Sequence, residues 1–206
     1  MLFYNTIEPK TFSLLKSLQQ LPELSETRLV GGTALALQLG HRKSIDLDVF
    51  GKWDYSIDLA KLFSGIGRVE KVSGTPNGRL QFFYINDIKV DCVAYEDYPW
   101  IEPAVEQDGI RLAGVKDIGA MKINAITNRG TRKDFVDLAR LLDEYRIDEI
   151  FGWYKSKYPD ANPSLAVRSL TYFVDAEQMP MPDMLAEFDW GSAVDKILNA
   201  VRQLVV

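Results

Sequence analysis

The chain has 206 residues, enough for one large domain or two small ones with a real core. Apolar residues make up 47% and charged residues 26%, an ordinary globular composition, and no apolar run approaches the roughly 20 residues that span a bilayer. A formal net charge of −5 argues against broad coating of nucleic acid, and the lone cysteine, Cys92, excludes an internal disulfide and points to a reducing compartment, the cytoplasm.

Met1 to Asn5 lacks the basic and apolar regions of a signal peptide, so none is expected. Pro9 to Leu21 spaces Phe12, Leu15 and Leu18 as a helix that Pro22 ends. Arg28 to Val30 reads as a short strand stopped by Gly31-Gly32. Thr33 to Leu39 is then a helix apolar nearly all round, hence buried, with Gly40 as its cap. Ile45 to Phe50 alternates apolar and acidic residues, the period of a strand, and Asp58 to Phe63 is predicted helical. Three strands follow, Arg68 to Ser73, Arg79 to Ile85 and Ile88 to Ala94, with a turn over Gly74 to Gly78 and a tight hairpin at Asn86-Asp87. In the last strand Ile88, Val90 and Cys92 share one face and Lys89, Asp91 and Val93 the other. A short run from Ile110 to Ala113 leads into predicted helices over Val115 to Thr127, Arg132 to Tyr145, Asp148 to Lys157, Ser164 to Tyr172 and Trp190 to Leu204, with a loop over Ala176 to Pro182. The chain therefore divides near Gly109 into an α/β part, 1–109, and a helical part, 110–206.

The chemistry concentrates between Leu29 and Phe50. Glycines before a helix can hold a phosphate on backbone N–H groups, and Gly31-Gly32-Thr33 occupies that place. Asp46 and Asp48, two apart on a strand, point to one face. Mg²⁺ takes hard oxygen ligands, and two such ions can activate an attacking hydroxyl and stabilise leaving pyrophosphate. Asp91, on a nearby strand, offers a third carboxylate. Taken singly these features have plain readings: a wet strand face, an ordinary turn, a Thr33 helix cap. Their order, strand, Gly-Gly-Thr, buried helix and acidic strand, favours phosphoryl or nucleotidyl transfer.

His41 is the only histidine, which excludes metal sites with two or more histidine ligands. Arg42 is a candidate triphosphate contact, although a surface arginine is equally ordinary. Cys92 alternates with apolar neighbours and reads as core. The second constellation runs from Lys122 to Asp137. Lys122 suits a phosphate as a compact charge, Arg129 and Lys133 add to a local basic cluster, and Asp134 and Asp137 share a helix face.

Val30 to Leu37, His41 to Asp48, Lys122 to Asp137 and Arg168 to Glu177 together resemble the AbiEii/AbiGii toxin family of nucleotidyltransferases, in the DNA polymerase β-like superfamily. The resemblance implies an α+β fold: a small mixed sheet carrying the acids, packed on helices and followed by a helical domain. It implies Asp46 and Asp48 as metal ligands, Gly31, Gly32 and Thr33 at the nucleotide phosphates, and the family's later lysine and aspartate motifs on Lys122 and Asp137. Threonine stands where the wider superfamily has serine, which keeps the hydroxyl. Members serve as toxins of toxin–antitoxin or phage-exclusion systems, and some transfer nucleotides to tRNA ends. The expectation is a Mg²⁺-dependent transfer from a nucleoside triphosphate to an acceptor hydroxyl, RNA or tRNA foremost, with a cognate antitoxin as partner and no membrane. The competing expectation is a catalytically weak member that mainly binds its antitoxin, with Trp153 and Trp190 either at that interface or in the helical core.

Overall fold

Alternating apolar and polar residues build the strands of the computed structural model, which describes residues 1–204: β1 (Glu26–Val30), β2 (Leu47–Lys52), β3 (Val69–Gly74), β4 (Leu80–Ile85), β5 (Ile88–Ala94), β6 (Val105–Gln107) and β7 (Ile110–Leu112). They form one mixed sheet in the order β3-β4-β5-β2-β1-β7-β6. The pairs β3–β4, β4–β5 and β6–β7 are antiparallel hairpins, and β1–β2 is also antiparallel. The central pair β2–β5 is parallel, as is β1–β7. Asn86 and Asp87 take φ of 49° and 65°, the two positive angles that a two-residue hairpin needs.

The helices are α1 (Pro9–Gln19), α2 (Gly31–Leu39), α3 (Leu59–Phe63), α4 (Val115–Asn128), α5 (Arg132–Leu141), α6 (Ile147–Lys157), α7 (Pro163–Ser169), α8 (Val174–Glu177) and α9 (Trp190–Val201). None of the described helices is long and apolar enough to cross a membrane. The strand period sorts the sheet into two faces. Leu29, Leu47, Val49, Val90, Cys92 and Phe83 are fully buried on one, where Phe63 of α3 meets Phe83 edge-on at 5.2 Å. The other face carries Asp48, Phe50, Asp91 and Val93, each half-buried. The largely apolar α2 packs against β1 and β2 and against α4 and α5, as its composition requires. The helical part then closes on itself: Phe135 of α5 stacks on Phe173 at 4.8 Å and meets Trp190 at 6.4 Å. Trp190 and Trp153 both pack against the core.

Several boundaries differ from the sequence reading. β6 is a three-residue strand with Val105 and Glu106 exposed, so it carries no burial pattern to read. It pairs with β7, and β7 continues the sheet beside β1, so the join expected at Gly109 lies inside a hairpin turn and the first long helix of the second part begins at Val115. The helix expected to Tyr172 ends at Ser169, and the loop expected from Ala176 opens inside the short α8.

Phe135 is fully buried and holds α5 against Phe173 and the start of α9. Phe135→Ala is expected to destabilise the protein by about 3–5 kcal/mol in urea unfolding; a loss below about 1 kcal/mol would show that this aromatic contact does not anchor the helical part.

Candidate active site

Asp48 and Asp91 are register partners on the parallel strands β2 and β5, so their side chains rise side by side from the same sheet face. Burial, and then the neighbouring charge of Asp91, push the Asp48 carboxyl up to about 6, against the opposing pull of Lys122. One oxygen of Asp91 receives Lys89 at 2.5 Å, while its Oδ1 is buried without a hydrogen-bond partner. A desolvated carboxylate pair with an unsatisfied oxygen is unfavourable by itself and suits a hard cation, Mg²⁺ foremost. Asp46 stands just before β2: its carboxylate lies 3.5 Å from Lys133, and its backbone oxygen accepts a bond from the Thr33 hydroxyl. Among the described residues no three Asp, Glu, His or Cys side chains converge as a ready-made metal cluster. The expected trio Asp46, Asp48 and Asp91 is thus a close pair with a third acid at its rim.

The glycine turn is placed by that pair. Helix α2 begins at Gly31, earlier than the expected Thr33, with φ of 68° at Gly31, and a Cβ there would run into the Asp48 carboxylate. A Cβ on Gly32 would run into the Arg42 guanidinium. Thr33 neither caps the helix nor reaches outward; its buried hydroxyl bonds Ser44 at 2.8 Å and the Asp46 carbonyl, which ties the helix to the approach of the acidic strand.

Behind the pair lies a buried charge network. Arg42 grips Asp137 with two bonds, Nε to Oδ1 at 2.6 Å and Nη2 to Oδ2 at 2.8 Å. His41 Nε2 lies 2.8 Å from Oδ1, and Lys122 Nζ 2.6 Å from Oδ2. These donors use the lone pairs a carboxylate has, which leaves Asp137 none for a metal or substrate. Lys122 also reaches Asp134 at 3.0 Å, and Thr131 and Arg129 complete that second carboxylate. Burial works against every charge here. For Lys122 it is outweighed by Asp137 and Asp134, so the ammonium is held above its usual range; for Asp137 it is outweighed by Lys122 and Arg42, which hold the carboxyl well below its own. Arg42, expected at the triphosphate, is buried on Asp137 instead, and Asp137, expected as a catalytic residue, contacts Lys122 and does not line the cavity in front of it.

Lys122 also faces forward. With Gly31, Asp48, Asp91 and Arg129 it lines a cavity of about 300 Å³. Lys133 and Gly32 do not line it; Lys133 stays at the rim on Asp46. The wall also includes Phe50, Phe82, Tyr98 and Asn124, which sequence reading passed over. Phe50 was within reach of it: two residues past Asp48 on a strand is the same face, about 6.6 Å further along. Tyr98 and Asn124 come from a loop and a helix that only the fold brings here.

Asp137→Ala is expected to leave Arg42 and Lys122 buried without their shared anion, and to lower unfolding free energy by about 3–5 kcal/mol; a variant within about 1 kcal/mol of wild type would mean the network does not hold the two parts together.

Residues 13–199 match the family model of the nucleotidyl transferase AbiEii toxin of the type IV toxin–antitoxin system. An uncharacterized protein of Aquifex aeolicus (strain VF5), aq_aa25, is 36% identical over 161 residues, 76% of this chain and 78% of its own. Two solved structures share the fold at low identity. JHP933 from Helicobacter pylori has a TM-score of 0.57 at 18% identity, covering 95% of this chain and 92% of its own. MenT4, the nucleotidyltransferase toxin Rv2826c from Mycobacterium tuberculosis H37Rv, has a TM-score of 0.59 at 14% identity, covering 93% and 81%. The chain belongs to the AbiEii family of nucleotidyltransferase toxins.

Proposed function

We propose that this nucleotidyltransferase moves a nucleoside monophosphate from a triphosphate onto an acceptor hydroxyl of RNA, tRNA included, with Mg²⁺, as the toxin partner of a cognate antitoxin in the cytoplasm. The observation that carries the reading is the register pair Asp48–Asp91, desolvated on an open sheet face with Gly31 on one side and Lys122 on the other. Asp48 and Asp91 would hold the metal, with Asp46 at the rim. Mg²⁺ bound there would polarise the α-phosphate and lower the cost of ionising the acceptor hydroxyl.

The chain's own groups do the rest. Gly31 lets the backbone approach the phosphates, and Lys122, kept charged from behind, faces the charge that builds on the leaving pyrophosphate. The acceptor oxygen bonds to the α-phosphorus as the bond to the β-phosphate oxygen breaks. Asp91 helps activate the acceptor as a ligand of that metal, and the hydroxyl proton passes to solvent. The nucleobase lies at the aromatic end, over Phe50 and against Phe82 and Tyr98, one strand repeat from the carboxylates.

With radiolabelled triphosphates, Mg²⁺ and total RNA, wild type is expected to label RNA, and Asp48→Asn or Asp91→Asn to lose about 100-fold or more of the rate. Equal labelling by these variants would overturn the metal assignment, and no labelling of any acceptor by wild type would favour the purely antitoxin-binding reading. The pair also makes a stability prediction. A carboxyl whose folded pKa is raised costs stability once pH passes its unfolded value, and the cost is complete above about 6. Asp48→Asn is therefore expected to stabilise the metal-free protein at pH 8 by about 1–3 kcal/mol, several degrees in Tm, with little effect near pH 4. A destabilised Asp48→Asn at pH 8 would contradict the repulsion.

A further inference from the structure

The segment from Arg168 to Glu177 has two faces in the fold. Leu170, Phe173 and Ala176 are buried, Phe173 between Phe135 and Trp190. Arg168, Tyr172 and Asp175 point the other way and line a second cavity of about 330 Å³. Its opposite wall is the C-terminal end of α4, Asn128 and Arg129. Arg129 also lines the nucleotide cavity, so the two cavities adjoin across one side chain.

The second cleft has a composition of its own. It brings two exposed guanidiniums together on a chain of net charge −5, against one carboxylate, Asp175. Arg129 keeps 63% of its side chain exposed while touching Asp134 at 3.5 Å, and Arg168 has no carboxylate partner among the described residues. Tyr172 is 54% exposed beside the buried Phe173, so its ring stands at the cleft and outside the core. Exposed guanidiniums and an open aromatic face suit a single-stranded nucleic acid, phosphates on the first and a base on the second. A polypeptide would call for an open strand edge or a deep apolar groove, and this cleft is formed by helix ends and polar side chains.

We propose that the cleft between the end of α4 and α7–α8 holds the single-stranded 3′ end of the acceptor, with Arg129 and Arg168 on its phosphates and Tyr172 stacked on a base. This assignment rests on the transfer reading above, because it is the shared wall at Arg129 that brings the strand's end to Asp48 and Asp91. It also gives the exposed half of the Arg168 to Glu177 segment a role that the nucleotide cavity does not.

The test uses the full chain and two separate binding measurements. Fluorescence anisotropy follows labelled single-stranded RNA and DNA of one sequence, about 12 nucleotides long. Calorimetry follows each nucleoside triphosphate with Mg²⁺. Arg168→Glu and Tyr172→Ala are each expected to weaken oligonucleotide binding about tenfold, Arg168→Lys to keep most of it, and triphosphate binding to stay within about twofold throughout. Both side chains are exposed, so unfolding curves matching wild type will accompany a true binding loss. Unchanged oligonucleotide affinity in Arg168→Glu and Tyr172→Ala, or no oligonucleotide binding by wild type, overturns the proposal. So does labelling of a protein acceptor that Arg168→Glu abolishes. DNA bound as tightly as RNA would support the cleft as argued, since its arginines and Tyr172 address phosphates and a base face. Failure of wild type to bind any triphosphate would instead overturn the transfer reading, with the oligonucleotide measurement still deciding what the cleft holds.

Discussion

One buried ammonium joins the two parts of this molecule. Lys122 stands on α4 with Asp134 and Asp137 of α5 behind it and Asp48 of the sheet in front. Removing an ammonium from water is costly, and only close anions offset the cost. Behind it the charges balance: Lys122 and Arg42 face Asp134 and Asp137, with His41 on the same carboxylate. The same Asp137 that holds Lys122 also holds the loop after α2, so the helix that opens at Gly31, the loop at Arg42 and the helical part are fixed by one carboxylate. Its rigidity comes from saturation, since every oxygen lone pair is taken.

In front the balance is broken. Asp48 and Asp91 share one sheet face, Lys122 is already committed to two acids, and Lys89 meets one oxygen of Asp91 from the partly exposed side. The excess of negative charge sits where burial makes it most costly, and the raised Asp48 carboxyl is its consequence. Structural acids are ordinarily arranged to avoid this. A fold that keeps two of them in register, beside a glycine whose Cβ would displace one, holds an imbalance that a hard cation would relieve. The cavity passes from these acids to Phe50, one strand repeat along β2, and to Tyr98 of the loop after β5.

What the sequence made legible followed periodicity. The burial of Ile88, Val90 and Cys92, and the opposite facing of Asp91, came from a period of two; the buried α2 came from a helix with no polar face. Turn chemistry located the Asn86-Asp87 hairpin. Long-range pairing was hidden. That β2 lies parallel to β5, with β3 and β4 between them in the chain, is not written in either strand, and it decides that Asp48 meets Asp91. Arg42 read as a triphosphate contact or an ordinary surface cation, yet its carboxylate partner is 95 residues away. Asp46 shared the alternation of Asp48, but the strand starts one residue later, and Thr33 holds the Asp46 backbone from the other side. β6 left no trace because an exposed three-residue edge strand has no pattern to leave.

The most direct measurement is a crystal structure with Mn²⁺ and a non-hydrolysable nucleoside triphosphate, read by anomalous scattering. The account requires a metal peak bridging carboxylate oxygens of Asp48 and Asp91 at about 2.1 Å, with phosphates beside Gly31 and the base over Phe50. A peak held by Asp46 without Asp91, or a nucleotide bound away from this sheet face, would contradict it.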